Sequence, residues 1–180
     1  MPLLLQSTNI NNNIKGEDVI MAIRNIRQEG DEILKKKSRE VEVIDDKVRE
    51  LIEDMVETMH KYNGVGLAAV QVGILKRIIV IDVEDENIPI VKLINPVIVK
   101  TKGKRECEEG CLSFPNKFAT VVRPVEVVVE GLNEKGEKVK IKATELLAQA
   151  LCHEIDHLNG ITFVDIMEPD SLQYVEPNHK

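Results

Sequence analysis

Apolar residues recur along this chain with two distinct periods. After Asp45-Asp46, the residues Val48, Leu51, Ile52, Met55, Val56 and Met59 follow three- and four-residue spacing. That spacing gathers them on one face of a helix, and the acidic pair suits the positive end of its dipole. The helix is expected to stop near Asn63-Gly64, and its methionines read as core filler. Arg77 to Val83 (RIIVIDV) reads as a strand, with a turn at Asp85-Glu86-Asn87. Leu93 to Val99 reads as another strand. Pro96 within it lacks a ladder donor, so an edge position or a bulge is expected there. Pro124 to Leu132 and Lys138 to Lys142 form an expected hairpin around Asn133-Glu134-Lys135-Gly136. Val139 and Ile141 alternate with lysines, so one face should be wet. Thr144 to Leu158 reads as a final helix, stopped at Asn159-Gly160. Several strands followed by a long helix predict an α+β fold, with mixed, mainly antiparallel strands packed around that C-terminal helix.

Outside these elements the pattern weakens. Residues 1–20 (MPLLLQSTNINNNIKGEDVI) are rich in Asn and read as a leader or flexible extension. Met21 to Lys37 is charged and reads as a surface segment carrying Ile23, Ile26, Ile33 and Leu34. Residues 169–180 read as a flexible, polar tail. One domain over residues 21–168 remains.

Composition narrows the function classes. The net charge is -7 and aromatic residues are 3% of the chain, with no Trp. A basic nucleic-acid clamp and an aromatic stacking platform for single strands are both unsupported, so no direct nucleic-acid reading is expected. No apolar run has the ~18 residues of a membrane span, so no membrane partner is expected. Three cysteines, Cys107, Cys111 and Cys152, make no disulfide scaffold and point to thiols that are metal-bound or catalytic.

The chemistry concentrates at His153-Glu154-Ile155-Asp156-His157. Four-residue spacing on a helix puts His153 and His157 one turn apart on one face, where both can bind one divalent ion. Glu154 beside the first can handle the proton of a water at such an ion. A catalytic metal usually takes three protein ligands. A histidine ten residues after His153 would serve, but that position holds Phe163. Downstream, Glu168 and Glu176 sit in a weak tail. Upstream, Glu108-Glu109-Gly110-Cys111-Leu112-Ser113 offers a thiolate in a turn, so Cys111 is the expected third ligand. Cys107 is expected not to ligate, and Cys152 to be a buried helix thiol. In Gly64-Val65-Gly66-Leu67-Ala68-Ala69-Val70-Gln71, small residues would let backbone approach a ligand, and Gln71 could supply an amide donor.

GVGLAAVQ at 64–71, EGCLS at 109–113 and HEIDHLNG at 153–160 resemble, in order and spacing, the three signature segments of peptide deformylases. The resemblance runs from about Met21 to Glu168. It implies a hydrolase that removes formyl from the N-terminal formyl-methionine of newly synthesised polypeptides, releasing formate. It implies a metal held by Cys111, His153 and His157, with Fe(II) native and Zn(II), Ni(II) or Co(II) as replacements. Glu154 would carry the proton, and Gln71 and the backbone N–H of Leu112 would stabilise the oxygen of the tetrahedral state. Substrate would run past Gly64, Val65, Gly66, Glu109 and Gly110. Its methionine would enter a slot near Leu146, Gln149 and Ala150, with Cys107 across it. Asp156 would pair with Arg123 in support of the site. The partners implied are formyl-methionyl nascent peptides, near the ribosome exit, met by a monomer in a bacterial cytoplasm. Two positions depart from the family pattern: Cys152 stands where Gln is usual, and Phe118 stands near the place of a basic residue. The competing readings are a thiolate-ligated zinc endopeptidase and a structural zinc module.

Overall fold

Asp45 caps the first long helix. Its side chain accepts the N–H of Val48 at 2.9 Å, and α1 runs over Asp46–Lys61. In this computed structural model, which describes residues 22–176, the apolar stripe of α1 is buried as its spacing predicts. The helix ends where the N–H of Gly64 reaches the Met59 carbonyl at 2.9 Å.

The strands form two sheets. One has the order β1-β2-β3-β6-β7, antiparallel throughout. Its members are β1 (Gly66–Ala68), β2 (Ile78–Ile81), β3 (Val91–Lys102), β6 (Glu126–Leu132) and β7 (Lys138–Thr144). The continuous apolar run of β2 is explained by its position between two helices. Ile78 and Val80 face the α1 cluster, whereas Ile79 and Ile81 face that of α2 (Glu145–Leu158). A strand covered on both faces has no wet side to alternate. Helix α2 is itself buried around most of its circumference and lies across the sheet, against Val127 and Val129 of β6. This is the α+β arrangement expected of a helix wrapped by mainly antiparallel strands.

Pro96 sits at a bulge and not at an edge. Strand β3 lies between β2 and β6, and its register shifts between Ile94 and Val97. Asn95 takes φ 52 there, and its side chain bonds both the N–H (2.8 Å) and the carbonyl (3.0 Å) of Val41. The polar chain thereby occupies backbone groups of the N-terminal segment. The β6–β7 hairpin has the expected wet face, with Lys140–Glu130 and Lys142–Glu126 paired across strands at 2.9 and 3.0 Å.

The second sheet has the order β4-β5-β8, from β4 (Arg105–Cys111), β5 (Phe114–Arg123) and β8 (Gln173–Tyr174). A short helix α3 (Phe163–Ile166) brings Phe163 edge-on to Phe114, with ring centroids 5.5 Å apart. Strand β8 lies within the segment read as a flexible tail (169–180) and gives part of it fixed partners. Gln173 and Tyr174 pair with Phe118 and Lys117, and the Val175 N–H reaches the Asn116 carbonyl at 2.9 Å. The open edge of β5 needs partners, and a polar segment with no periodicity supplies them through its backbone. Residues 177–180 and the 1–20 extension lie outside the described residues. No helix among the described residues is long and apolar enough to cross a membrane.

Candidate active site

Helix α2 carries His153 and His157 on one face, with their Nε2 atoms 3.2 Å apart. Cys111 ends β4, where a register shift between Gly110 and Cys111 turns the chain, and its Sγ lies 3.2 Å from His157 Nε2. The three donor atoms fall within 4.8 Å of one another, so this group could hold a metal ion. Ion-to-ligand bonds of ~2.0–2.3 Å at near-tetrahedral angles put donors on the order of 3.3–3.6 Å apart. Two of its edges, 3.2 Å each, are close to that size, and its thiolate-plus-imidazole chemistry suits a transition metal.

His153 is set by what stands behind it, whereas Nδ1 of His157 is buried without a hydrogen-bond partner. His153 Nδ1 lies 2.9 Å from Glu109 Oε2, so the ring donates there and leaves the Nε2 lone pair toward Cys111. Arg123 grips Glu109 with two bonds, 2.6 Å from Nε and 2.9 Å from an Nη, and grips Asp156 at 2.6 Å with the other Nη. The expected Arg123–Asp156 pair is therefore present, as half of a larger buried network. Burial pushes Glu109 up, but His153 and Arg123 outweigh it and bring the carboxyl to about 2. Burial works against charge on Arg123, yet its two carboxylates raise its pKa. Burial and the neighbouring His153 lower His157, whereas His153, despite its burial, is raised by Cys111 and Glu109.

Glu154 is 3% exposed, and its Oε2 has no hydrogen-bond partner. Burial pushes its carboxyl up to about 7. An unpaired buried carboxylate oxygen is costly unless a ligand or a water meets it in use. Gln71 is held by its own turn. Its Oε1 accepts the Ala68 N–H at 2.8 Å, while Nε2 donates to Ser113 Oγ at 3.2 Å and leans toward Cys111 Sγ at 3.4 Å.

These groups open into a cleft of about 820 Å³. Gly64, Val65, Gly66 and Gln71 line it, as do Glu109, Gly110, Cys111 and Leu112. Leu146, Gln149 and Ala150 line it from α2, with His153 and Glu154. Gln149 donates to the Glu108 carbonyl at 2.9 Å. His157 lies beneath, 1% exposed. One reading needs correcting. Cys107 does not line this cleft: it is buried on β4 opposite Val121, on the same inward face as Glu109, and burial raises its thiol pKa. Glu109 lines the cleft, with its carboxylate turned onto Arg123 and His153. Cys152 is packed in the core, and its burial pushes the thiol up to about 11.

The polypeptide deformylase family model matches residues 23–173. The chain belongs to the peptide deformylase family. Hydrolysis of the N-terminal formyl amide of a nascent peptide is the activity that comes with this membership. It is 57% identical over 145 residues to the peptide deformylase of Acetivibrio thermocellus, a match covering 81% of this chain and 84% of that protein. It is 58% identical to peptide deformylase 1 of Clostridium acetobutylicum, covering 81% and 95%. Among solved structures, the Legionella pneumophila enzyme has a TM-score of 0.79 at 44% identity, covering 82% of this chain and 88% of that one. The Synechococcus elongatus enzyme in complex with actinonin has the same score and identity, covering 82% of each chain.

Several cleft residues escaped the sequence reading. Asn25, Ile26 and Gln28 close one side, from the segment read as plain surface, and Tyr62 extends from the end of α1. Phe118, which the sequence already set near the place of the family's basic residue, also lines the cleft, with its ring against Gly110. None of these has a spacing signal, because each enters the site through a contact distant in sequence.

Proposed function

We propose that this chain removes the formyl group from the N-terminal formyl-methionine of newly made polypeptides, using one divalent ion held by Cys111, His153 and His157. The observation that carries this reading is an open cleft in which a metal-binding donor triangle stands beside a buried, unpartnered carboxylate. When bound, the ion supplies Lewis acidity toward the formyl oxygen and toward water. Glu154 accepts the proton of the attacking water and delivers it to the departing amine, so that C–O forms, C–N breaks and formate leaves. The Gln71 amide and the Leu112 N–H donate to the oxygen as negative charge develops on it. The unpaired edges of β1 and β4 flank the cleft and suit an extended peptide along Gly64, Val65, Gly66 and Gly110. Leu146, Gln149 and Ala150 offer the slot for methionine.

Fe(II) is the native ion in this reading, and Zn(II), Ni(II) or Co(II) can replace it. A thiolate ligand tempers the ion's charge, and Fe(II) beside Cys111 makes the site oxygen-sensitive. The chain works as a monomer in the bacterial cytoplasm, on peptides emerging near the ribosome exit. The decisive experiment measures formate release from a formyl-methionyl peptide under anaerobic conditions, together with metal content. Cys111→Ser should lose the ion. Glu154→Ala should keep it and turn over at least ~100-fold more slowly. Near-normal turnover by Glu154→Ala would remove Glu154 from the proton's path.

A further inference from the structure

The two oxygen-stabilising groups belong to different sheets. Gln71 follows β1 on a 3-10 turn (Ala69–Val72), whereas Leu112 lies in the turn between β4 and β5. The sheets share no strand. Residues 22–29 cross between them. The N–H of Arg27 donates to the Gln71 carbonyl at 2.7 Å, and the N–H of Glu29 donates to the Ser113 carbonyl at 2.8 Å. Gln28 adds a longer bond to the Leu112 carbonyl at 3.4 Å, and Glu29 pairs with Lys117 at 2.6 Å. One short extended segment thus bonds the main chain beside each donor.

That segment needs an anchor, because it belongs to neither a helix nor a strand. The anchor is Asp54, on the buried face of α1 and 1% exposed. It accepts the Ala22 N–H at 2.7 Å on one oxygen, and Nε and an Nη of Arg24 at 2.8 and 2.6 Å on the other. The Arg24 N–H donates to Thr58 Oγ1, one helical turn on, at 2.9 Å. A carboxylate placed on the core face of a helix is costly unless charge and hydrogen bonds meet it. Here all its partners come from the crossing segment.

We propose that residues 22–29 act as a strap that sets the separation of the Gln71 and Leu112 donors, and that Asp54, through Arg24, is the positioning residue that holds the strap in place. The proposal rests on the reading of Gln71 and Leu112 as the groups that stabilise the developing oxyanion. Donors of this kind act through placement, so a slack strap weakens the transition state more than the ground state.

The test uses the full-length, metal-loaded chain and the variants Arg24→Ala, Arg24→Lys, Asp54→Asn and Gln71→Ala. Arg24→Ala leaves the buried Asp54 carboxylate without its cation, so thermal stability is read beside kcat, and Asp54→Asn removes that stranded charge. Arg24→Ala and Asp54→Asn should each lower kcat about tenfold at wild-type metal content, and the double variant should be no worse than the weaker single one. Arg24→Lys should recover part of the loss. In a Gln71→Ala background, Arg24→Ala should cost less than about twofold, since the donor it positions is gone. Lowered thermal stability at wild-type kcat in Arg24→Ala and Asp54→Asn would overturn the strap and leave Gln71 in its role. Wild-type kcat in Gln71→Ala would overturn the oxyanion reading itself.

Discussion

Glycine 66 has no side chain where Glu154 lies. A Cβ added there would run into Oε1 of that carboxylate, so the strand and the Glu154 side chain occupy one shared space. The smallness of GVG thus has a specific cause beyond freedom of the backbone. Gly66→Ala should push Glu154 aside and lower turnover about 100-fold while the metal content stays at the wild-type level, read by formate release and metal analysis. Wild-type turnover in that variant would mean that Glu154 is not placed by Gly66. Gly160 illustrates the other use of glycine. It ends α2 at φ 74, and a Cβ would strike the Lys35 carbonyl, so both the turn and its neighbour require the residue.

Arg123 joins the elements that carry the donors. It lies on β5, holds Glu109 of β4 two residues before Cys111, and holds Asp156 of α2 between the two histidines. At 5% exposure it is the cation that allows two carboxylates to sit against the helix. Lysine keeps the charge but cannot make the planar, three-bonded contact. Arg123→Lys should therefore release the metal about 10–100-fold faster into a chelator, with a smaller effect once the enzyme is saturated with ion. Unchanged release would reduce Arg123 to a packing role. Glu109→Gln should behave similarly, because it loosens the same ring of His153.

Over the whole molecule, the N-terminal segment is stapled to the C-terminal region as well as to the cleft. Lys35 reaches Asp165 at 2.6 Å and Thr162 at 3.3 Å, beside the point where Gly160 meets the same 3-10 turn (Glu32–Lys35). Burial pushes the Asp165 carboxyl up, but Lys35 and Thr162 outweigh it and leave it below its ordinary value. A carboxyl lowered in the folded state contributes stability above its unfolded value of about 3.9 and loses it as pH falls through the folded value. The difference in denaturation midpoint between the wild type and Asp165→Asn should be present at about pH 6 and shrink below about pH 4. It should also be modest and salt-sensitive, since both side chains are partly exposed. A difference independent of pH would assign the staple to hydrogen bonding alone.

Local patterns were enough to read the two long helices, the hairpin and the Cys111, His153 and His157 that the fold brings together. The stripe of α1 and the spacing of His153 and His157 follow from one helical period, which depends only on neighbours a turn away. Cys111 was legible because its turn sequence and the missing downstream alternatives singled it out. The bulge at Pro96 was half legible: proline barred a regular ladder, but the central place of β3 came from its partners on both sides. What folding alone supplied is long-range. Glu109 turns inward because Arg123 and His153 wait there, Cys107 leaves the cleft because the pleat of β4 faces it into the core, and β8 forms because β5 has an open edge. Residues 22–29 look featureless in isolation and become a cleft wall only through carbonyls more than forty residues away. Periodicity records which face of an element is buried; it holds no record of which distant group will be met there.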